Sequence, residues 1–143
     1  MELVDYLNQM TTSGNNDLSS KLKLAGIKSS NKRKFEMVEL LNEYLSKKEN
    51  ILTIWNNLVG FDKEFLEEYI RANGEMEYDE LIVIINKYKR KLSYSIYGTE
   101  DYFDENSRAR LLFIKGVIPL QILSIIKKLV TPIEFKLRII SQE

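Results

Sequence analysis

The chain has 143 residues, 44% of them hydrophobic and 29% charged, and its 21 Lys and Arg residues equal its 21 Asp and Glu residues. This composition is typical of a folded domain of ordinary size, and a net charge of zero provides no overall field that would attract a nucleic acid or a membrane. The absence of Cys and His excludes disulfides, thiol nucleophiles, zinc–thiolate sites and His-dependent catalytic triads, and leaves open an oxygen-ligated site for magnesium or calcium.

The N-terminal part of the sequence predicts two short helices. Apolar residues recur at helical spacing between Glu2 and Met10, and the polar run at 11–17 predicts a loop. Asp17 is a favourable N-cap for the second helix, because its carboxylate can accept N–H groups that a helix start leaves unpaired. Gly26 stands where a glycine commonly closes a helix.

Further helices are predicted up to about residue 91. Ser29, Ser30 and Asn31 offer an N-cap for a helix from Lys32 to about Lys48. The large aromatic side chain of Trp55 is expected in the core. Three later helices are predicted. The first is capped by Asn50 and ends at Gly60, and the second is capped by Asp62 and ends at the pair Asn73-Gly74. The third is capped by Asp79 and ends near Lys91.

The run at 93–107 is rich in Tyr, Gly and Ser and has the composition of a loop. Its aromatic residues are expected to pack on the loop's own core rather than to stack on bases. Residues 110–119 allow two interpretations: Lys115-Gly116 joins two short strands in a tight hairpin, or Gly116 caps a helix that begins near Asp104. The aromatic residues of this run are Tyr94, Tyr97, Tyr102 and Phe103.

The end of the sequence predicts a last helix and a strand. Pro119 fits the first position of that helix, and Pro132 stops it. Strict alternation of apolar and polar residues at 133–139 predicts a half-buried strand, which needs a partner at 75–78, at 111–118 or outside the chain. The sequence therefore predicts a mainly α fold, a helical bundle with two or three short strands.

Charge is segregated along the chain although it sums to zero. The local net charge is +5 over residues 17–34, −6 over residues 60–80 and +6 over residues 108–138. The carboxylates fall in three clusters that we expect to be solvated surface, since none has the spacing of a calcium-binding EF-hand loop. The clusters are Glu64, Glu67 and Glu68; Glu75, Glu77, Asp79 and Glu80; and Glu100, Asp101, Asp104 and Glu105.

A basic loop precedes the predicted third helix. The backbone N–H groups and the dipole of a helix start attract anions, and adjacent cations strengthen that attraction, so phosphate is the natural partner. A solvated polar loop is the alternative. Leu22–Leu41 resembles the helix–glycine–basic loop–helix arrangement of SAP-like modules, which bind DNA in many families. That resemblance implies that four residues present cations to nucleic acid: Lys28, Lys32, Arg33 and Lys34.

A wider resemblance covers most of the chain. The order of elements is similar to the N-terminal, winged-helix-containing accessory region of bacterial helicases of the XPB type, or to a stand-alone relative of that region. It implies a SAP-like helical region at 1–60 and a winged-helix-like region at 61–143 that form one unit. The helicase motor is absent, because no GxxxxGK[ST] phosphate loop occurs. The residues that carry this resemblance are Asn73, Gly74, Leu111, Leu112, Phe113, Gly116, Ile118 and Pro119.

These patterns predict a non-catalytic nucleic-acid-binding domain that needs no cofactor or metal. The alternative is a protein–protein interaction module, or a homo-oligomer, that uses the acidic 60–80 face or the edge of the C-terminal strand. A cytoplasmic location without membrane contact is expected. The first ten residues do not resemble a signal peptide, and the apolar runs at 81–85 and 117–126 are too short to span a bilayer.

Overall fold

The computed structural model describes residues 2–14, 16–91 and 98–130. Within these ranges no helix is both long and apolar enough to cross a membrane. The α-helices of the described residues are α1 (Leu3–Asn8), α2 (Leu18–Leu24), α3 (Lys34–Ser46), α4 (Lys48–Asn57), α5 (Gly60–Arg71), α6 (Tyr78–Lys87) and α7 (Leu120–Ile126). Short 3₁₀-helices add Thr99–Tyr102, Arg108–Leu112 and Lys127–Leu129.

The predicted mainly α fold is confirmed, but the strands expected of a winged helix are not seen in the part of the chain that the structure describes. Ile114 and Val117 form an isolated antiparallel bridge, with N–H to O distances of 2.7 and 3.2 Å. Lys115 and Gly116 between them both have positive φ angles, 52° and 81°, which is the geometry of a type I′ turn. The predicted tight turn is therefore confirmed, while the strand pair is wrong.

The bridge does not extend into a ladder because helical structure lies on both sides of it. Arg108–Leu112 is a 3₁₀-helix and α7 begins at Leu120, which leaves too few extended residues for a second pair. The stop at Pro132 and the alternating strand at 133–139 lie outside the described residues.

The predicted ends of α2 are confirmed. The Asp17 carboxylate accepts the Ser20 N–H at 2.8 Å and so caps the start of the helix. Gly26 has a φ of +77° and donates its N–H to Lys23, while the Ile27 N–H reaches back to the Leu22 carbonyl at 2.8 Å. This pair of backbone hydrogen bonds is a Schellman motif, and it fixes the direction in which the basic loop leaves α2.

The helix stop at Asn73-Gly74 is also confirmed. Both residues have positive φ angles, and the Gly74 N–H bonds to the Tyr69 carbonyl at 2.9 Å, so α5 closes in the same type of motif as α2. Asn tolerates this left-handed conformation better than most residues, which is why the pair is a readable signal.

Several predicted N-caps are wrong because the side chains concerned have other partners. The N-cap of α3 is Arg33, and Asn31 instead adopts a φ of +63° in the preceding turn. Asn50 lies inside α4 and donates to the Tyr44 carbonyl at 2.9 Å, which closes α3. Asp62 lies inside α5, where its carboxylate accepts the Ser107 hydroxyl at 2.7 Å.

At the two remaining predicted starts the error is two residues for α6 and one residue for α7. The N-cap of α6 is Glu77, and Asp79 lies in the first turn of that helix. Pro119 is the N-cap of α7 rather than its first helical residue. Helix ends commonly differ from sequence patterns by this amount.

The core forms along the inner faces of the helices. Trp55 is buried as predicted, whereas the run at 81–85 buries only one side of α6 and leaves Val83 66% exposed. α2 packs against α3 and against Arg108–Leu112, and α4 packs against that same 3₁₀-helix. The segment 108–112 thus packs against both α2 and α4, and it holds residues of the candidate site in place.

Phenylalanine rings form the C-terminal part of the core. The ring centroid of Phe103 lies 5.1 Å from that of Phe65, 5.8 Å from that of Phe113 and 6.2 Å from that of Phe61. The expected packing of the loop aromatics is confirmed for Phe103, which is buried, and for Tyr102, which is half-buried. Tyr94 and Tyr97 lie outside the described residues.

Candidate functional site

The basic loop separates into two parts in the structure. Lys28 and Arg33 are exposed and Lys32 is half-buried, all on the connection between α2 and α3. Lys34, by contrast, is the first residue of α3, and its Nζ donates to the Asn8 carbonyl at 2.7 Å. The Lys34 ammonium group therefore binds a carbonyl at the C-terminal end of α1, where a cation is electrostatically favourable.

The N-terminus of α3 already holds a carboxylate of the chain itself. Glu36 lies in the first turn, and its Oε1 accepts the Arg33 N–H at 3.1 Å. A negative charge at this position is stabilised by the helix dipole. Donors for an external anion must therefore come from the loop before the helix.

An open cleft of about 470 Å³ lies between the end of α2 and this loop. We call it the serine–lysine cleft. The side-chain polar groups on its walls are hydroxyls and ammonium groups, and none of the residues that line it carries a carboxylate. It is lined by Ser19, Lys23, Gly26, Ile27, Lys28, Ser29 and Ser30.

Backbone donors add to this cleft. The N–H groups of Gly26 and Ile27 are used in the closure of α2. The next three N–H groups, those of Lys28, Ser29 and Ser30, bond to no carbonyl of the described residues. The ammonium groups of Lys23 and Lys28 likewise make no ion pair or hydrogen bond within the described ranges. The cleft thus offers an anion several donors at once.

A buried ion cluster lies behind α2, and the sequence patterns missed it. Lys21 is 1% exposed, and its Nζ lies 2.5 Å from Glu100 Oε2. The same Nζ donates to the Arg110 carbonyl at 2.5 Å. Burial lowers the pKa of Lys21, and the Glu100 carboxylate opposes that shift.

Arg110 completes the cluster. Its guanidinium donates to the carbonyls of Asp104 and Phe103 and to Asn16 Oδ1, at 2.9, 2.7 and 2.5 Å. It also lies 3.8 Å from Asp101 Oδ1. We call these residues the buried ion cluster: Lys21, Glu100, Asp101, Arg110 and Asn16. They join α2 to the 3₁₀-helices Thr99–Tyr102 and Arg108–Leu112.

The expectation of solvated carboxylates is thus wrong for Glu100 and Asp101. Glu100 is 3% exposed, and its second oxygen accepts the Gly116 N–H at 3.0 Å. Asp104 and Glu105 are exposed, as are the carboxylates at 75–80. The carboxylates of 64–68 are half-buried and pair with Lys87 and Arg71.

One sequence signal could have revealed the cluster. Lys21 follows Leu18 by three positions and precedes Leu22 directly, so it lies on the apolar face of α2. A cation on a buried helix face needs a buried partner. The sequence does not identify that partner, because it lies 79 residues further along the chain.

The arrangement of the serine–lysine cleft offers hydrogen-bond donors and positive charge to an anion. The described residues contain no group of three or more carboxylates arranged to hold a metal ion. The cluster's charged groups are paired with one another, while the donors of the serine–lysine cleft face outward. Comparisons with models of protein families, with curated proteins and with solved structures give no match to this chain.

Proposed function

We propose that this chain is a non-catalytic nucleic-acid-binding domain that contacts mainly the phosphate backbone. The serine–lysine cleft carries the proposal, because its two lysines, the hydroxyls of Ser29 and Ser30 and its unbonded backbone N–H groups can all donate to a phosphate oxygen. Ammonium, hydroxyl and backbone N–H groups are the usual protein partners of nucleic-acid phosphates. These donors therefore suit one class of ligand, the phosphate groups of a nucleic acid.

A polymer fits these features better than a small anion. The cleft is open, and Lys32 and Arg33 continue the positive charge beyond it along the same loop. No aromatic side chain lines the cleft, so it offers no platform on which a base could stack. Binding should accordingly be weak, dominated by phosphate contacts and tolerant of sequence.

The resemblance of Leu22–Leu41 to SAP-like modules supports the same proposal. The relation to the accessory region of XPB-type helicases stays a prediction. Its SAP-like part corresponds to helices of the structure, whereas the strands of its winged helix are not seen in the described ranges.

Replacing Lys28, Lys32 and Arg33 together with Ala tests the function directly. We expect the affinity for a labelled mixed-sequence DNA duplex, measured by fluorescence anisotropy, to fall at least tenfold. The slope of log K against log salt should decrease in magnitude by about 0.9 for each lost phosphate contact. The fold should persist, because Lys28 and Arg33 are exposed and none of the three side chains makes an ion pair within the described residues.

Lys34→Ala is the matched control. It removes one charge from the same segment, but Lys34 is bound to α1, so the affinity should change less than about twofold. DNA binding that ignores salt, or no binding at about 50 mM salt, would contradict the proposal. An equal loss of binding free energy per removed charge in the control and in the triple variant would show that general charge, rather than the cleft, is responsible.

A protein-interaction module is the second candidate, and one observation favours it. Tyr78 and Val83 are exposed on α6, beside the exposed carboxylates of Glu77, Asp79 and Glu80. Exposed apolar side chains within an acidic face suit a basic protein partner. The other surface considered for this role, the edge of the C-terminal strand, lies outside the described residues.

A further inference from the structure

We propose a second phosphate-binding subsite, on the opposite side of Lys23 from the serine–lysine cleft. It is a cleft of about 420 Å³ between α2 and the segment 105–110. We call it the arginine cleft, after Arg108 and Arg110 on its wall. This inference rests on the proposed function and extends it: a nucleic-acid strand held at the serine–lysine cleft continues across α2, and its neighbouring phosphates enter the arginine cleft.

Continuity between the two clefts is the first argument. Lys23 lines both of them, and Ser19 and Ser20 lie next to each other on their respective walls. One cation therefore stands between the subsites, where consecutive phosphates of a strand would share it. The arginine cleft also contains the side chain of Asn106, whose amide is a common phosphate partner, whereas the Ser20 hydroxyl donates to the Gly14 carbonyl at 3.2 Å.

The buried ion cluster contributes two residues to the wall of the arginine cleft. Lys21 and Arg110 line this cleft, whereas their partners Glu100 and Asp101 line a different cleft of about 350 Å³. Asn16 lines both and so belongs to the wall between them. The two cationic residues of the cluster thus belong to the wall of the arginine cleft, and its two carboxylate residues belong to the wall of the other cleft.

Arg108 supplies a cation that forms no ion pair with a carboxylate of the described residues. It is exposed, and its Nη2 donates to the Tyr44 hydroxyl of α3 at 2.9 Å. A neutral partner orients the guanidinium without cancelling its charge. The remaining donors of the planar fork match the paired oxygens of a phosphate. Glu105 is the one carboxylate residue among those that line the cleft, and its side chain is exposed to solvent.

Arg108→Ala in the full chain separates this subsite from the first, because Arg108 lines only the arginine cleft. We expect about tenfold weaker binding of a labelled oligonucleotide and a salt slope smaller by about 0.7 to 0.9. Arg108→Lys should restore the slope but only part of the affinity, since an ammonium group cannot bind bidentately.

Two controls make the result specific. Tyr44→Phe removes the same hydrogen bond while keeping the charge, so the salt slope should not change. Lys128→Ala removes a charge from the 3₁₀-helix after α7, outside both clefts, and binding should stay within about twofold of the wild type. Thermal unfolding of each variant should match that of the wild type, because Arg108 and Lys128 are exposed and Tyr44→Phe keeps the ring that packs against the core.

The possible outcomes are distinct. If the wild type binds and the variant of Lys28, Lys32 and Arg33 binds weakly, but Arg108→Ala behaves like Lys128→Ala, then the second subsite is wrong and the proposed function stands. If Tyr44→Phe and Arg108→Ala lose equal affinity with unchanged salt slopes, the effect is structural and the subsite is again wrong. If the wild type binds no oligonucleotide at about 50 mM salt, both proposals fail.

Discussion

Glu100→Gln is expected to lower the free energy of unfolding by about 3 to 5 kcal/mol. The substitution preserves the shape of the side chain but removes the charge that faces Lys21, whose Nζ lies 2.5 Å from Glu100 Oε2. Lys21 is 1% exposed, so water cannot replace the lost partner. An ammonium group left without a counter-charge in the interior is far more costly than a broken surface pair.

Urea denaturation followed by circular dichroism measures this effect. Glu105→Gln is the matched control, because it makes the same change five residues away at an exposed carboxylate, and we expect it to cost less than about 0.5 kcal/mol. The double variant Lys21→Met with Glu100→Gln should recover part of the loss, since no uncompensated charge remains. Equal stability of the two single variants would contradict the buried pair.

The pH dependence of Glu100→Gln gives an independent test of the same pair. Burial already lowers the pKa of Lys21, and without Glu100 the opposing effect is gone, so the pKa should fall further. Between the folded and unfolded pKa values the unfolded state binds more protons, so the free energy of unfolding rises with pH. The deficit of this variant should therefore shrink as the pH rises toward the pKa of lysine in the unfolded chain, whereas the double variant, which lacks Lys21, should not share that recovery.

Phe103→Ala should lower the free energy of unfolding by about 3 to 5 kcal/mol. The Phe103 ring is 2% exposed and contacts three other phenylalanine rings, so its removal loses both the transfer free energy and favourable edge-to-face contacts. The substitution would leave a cavity between α5 and Phe113. The neighbouring rings cannot move into that cavity without losing their own contacts.

Chemical denaturation with a matched surface variant tests this prediction. Phe35→Ala deletes the same side chain from a position that is 63% exposed, and we expect it to cost less than about 1 kcal/mol. Phe103→Leu retains part of the volume and should lie between the two, so a measurement remains possible if Phe103→Ala does not fold. Similar losses at Phe103 and Phe35 would mean that the aromatic packing is not as described.

Signals that act within a few residues were readable from the sequence. Asp17, Gly26 and the pair Asn73-Gly74 end helices because their backbone preferences or short side chains act on adjacent turns. Lys115-Gly116 makes a tight turn for the same kind of reason. The strands around that turn were wrong, because the 3₁₀-helix before it and α7 after it occupy the residues that a ladder would need.

Where a polar side chain could bind more than one group, the sequence did not predict which partner it takes. Asn50 is a good cap by type, yet it serves the end of α3 rather than the start of α4. Lys34 belongs to the basic loop by sequence, yet α1 takes its ammonium group. Glu100 belongs to an acidic run, yet its partner is 79 positions away. Each outcome depends on which helices meet, and local periodicity does not contain that information.

The residues of the buried ion cluster lie far apart in the sequence, so the ribosome synthesises them at different times. The acceptors of Lys21 lie 79 and 89 residues downstream, in segments that the ribosome produces much later than α2. At about 5 to 20 residues per second, the nascent chain carries α2 without its partners for roughly 4 to 18 seconds. During that interval the apolar face of α2 contains an uncompensated cation, which opposes premature burial. The N-terminal helices can therefore complete their packing only after residue 110 has left the exit tunnel.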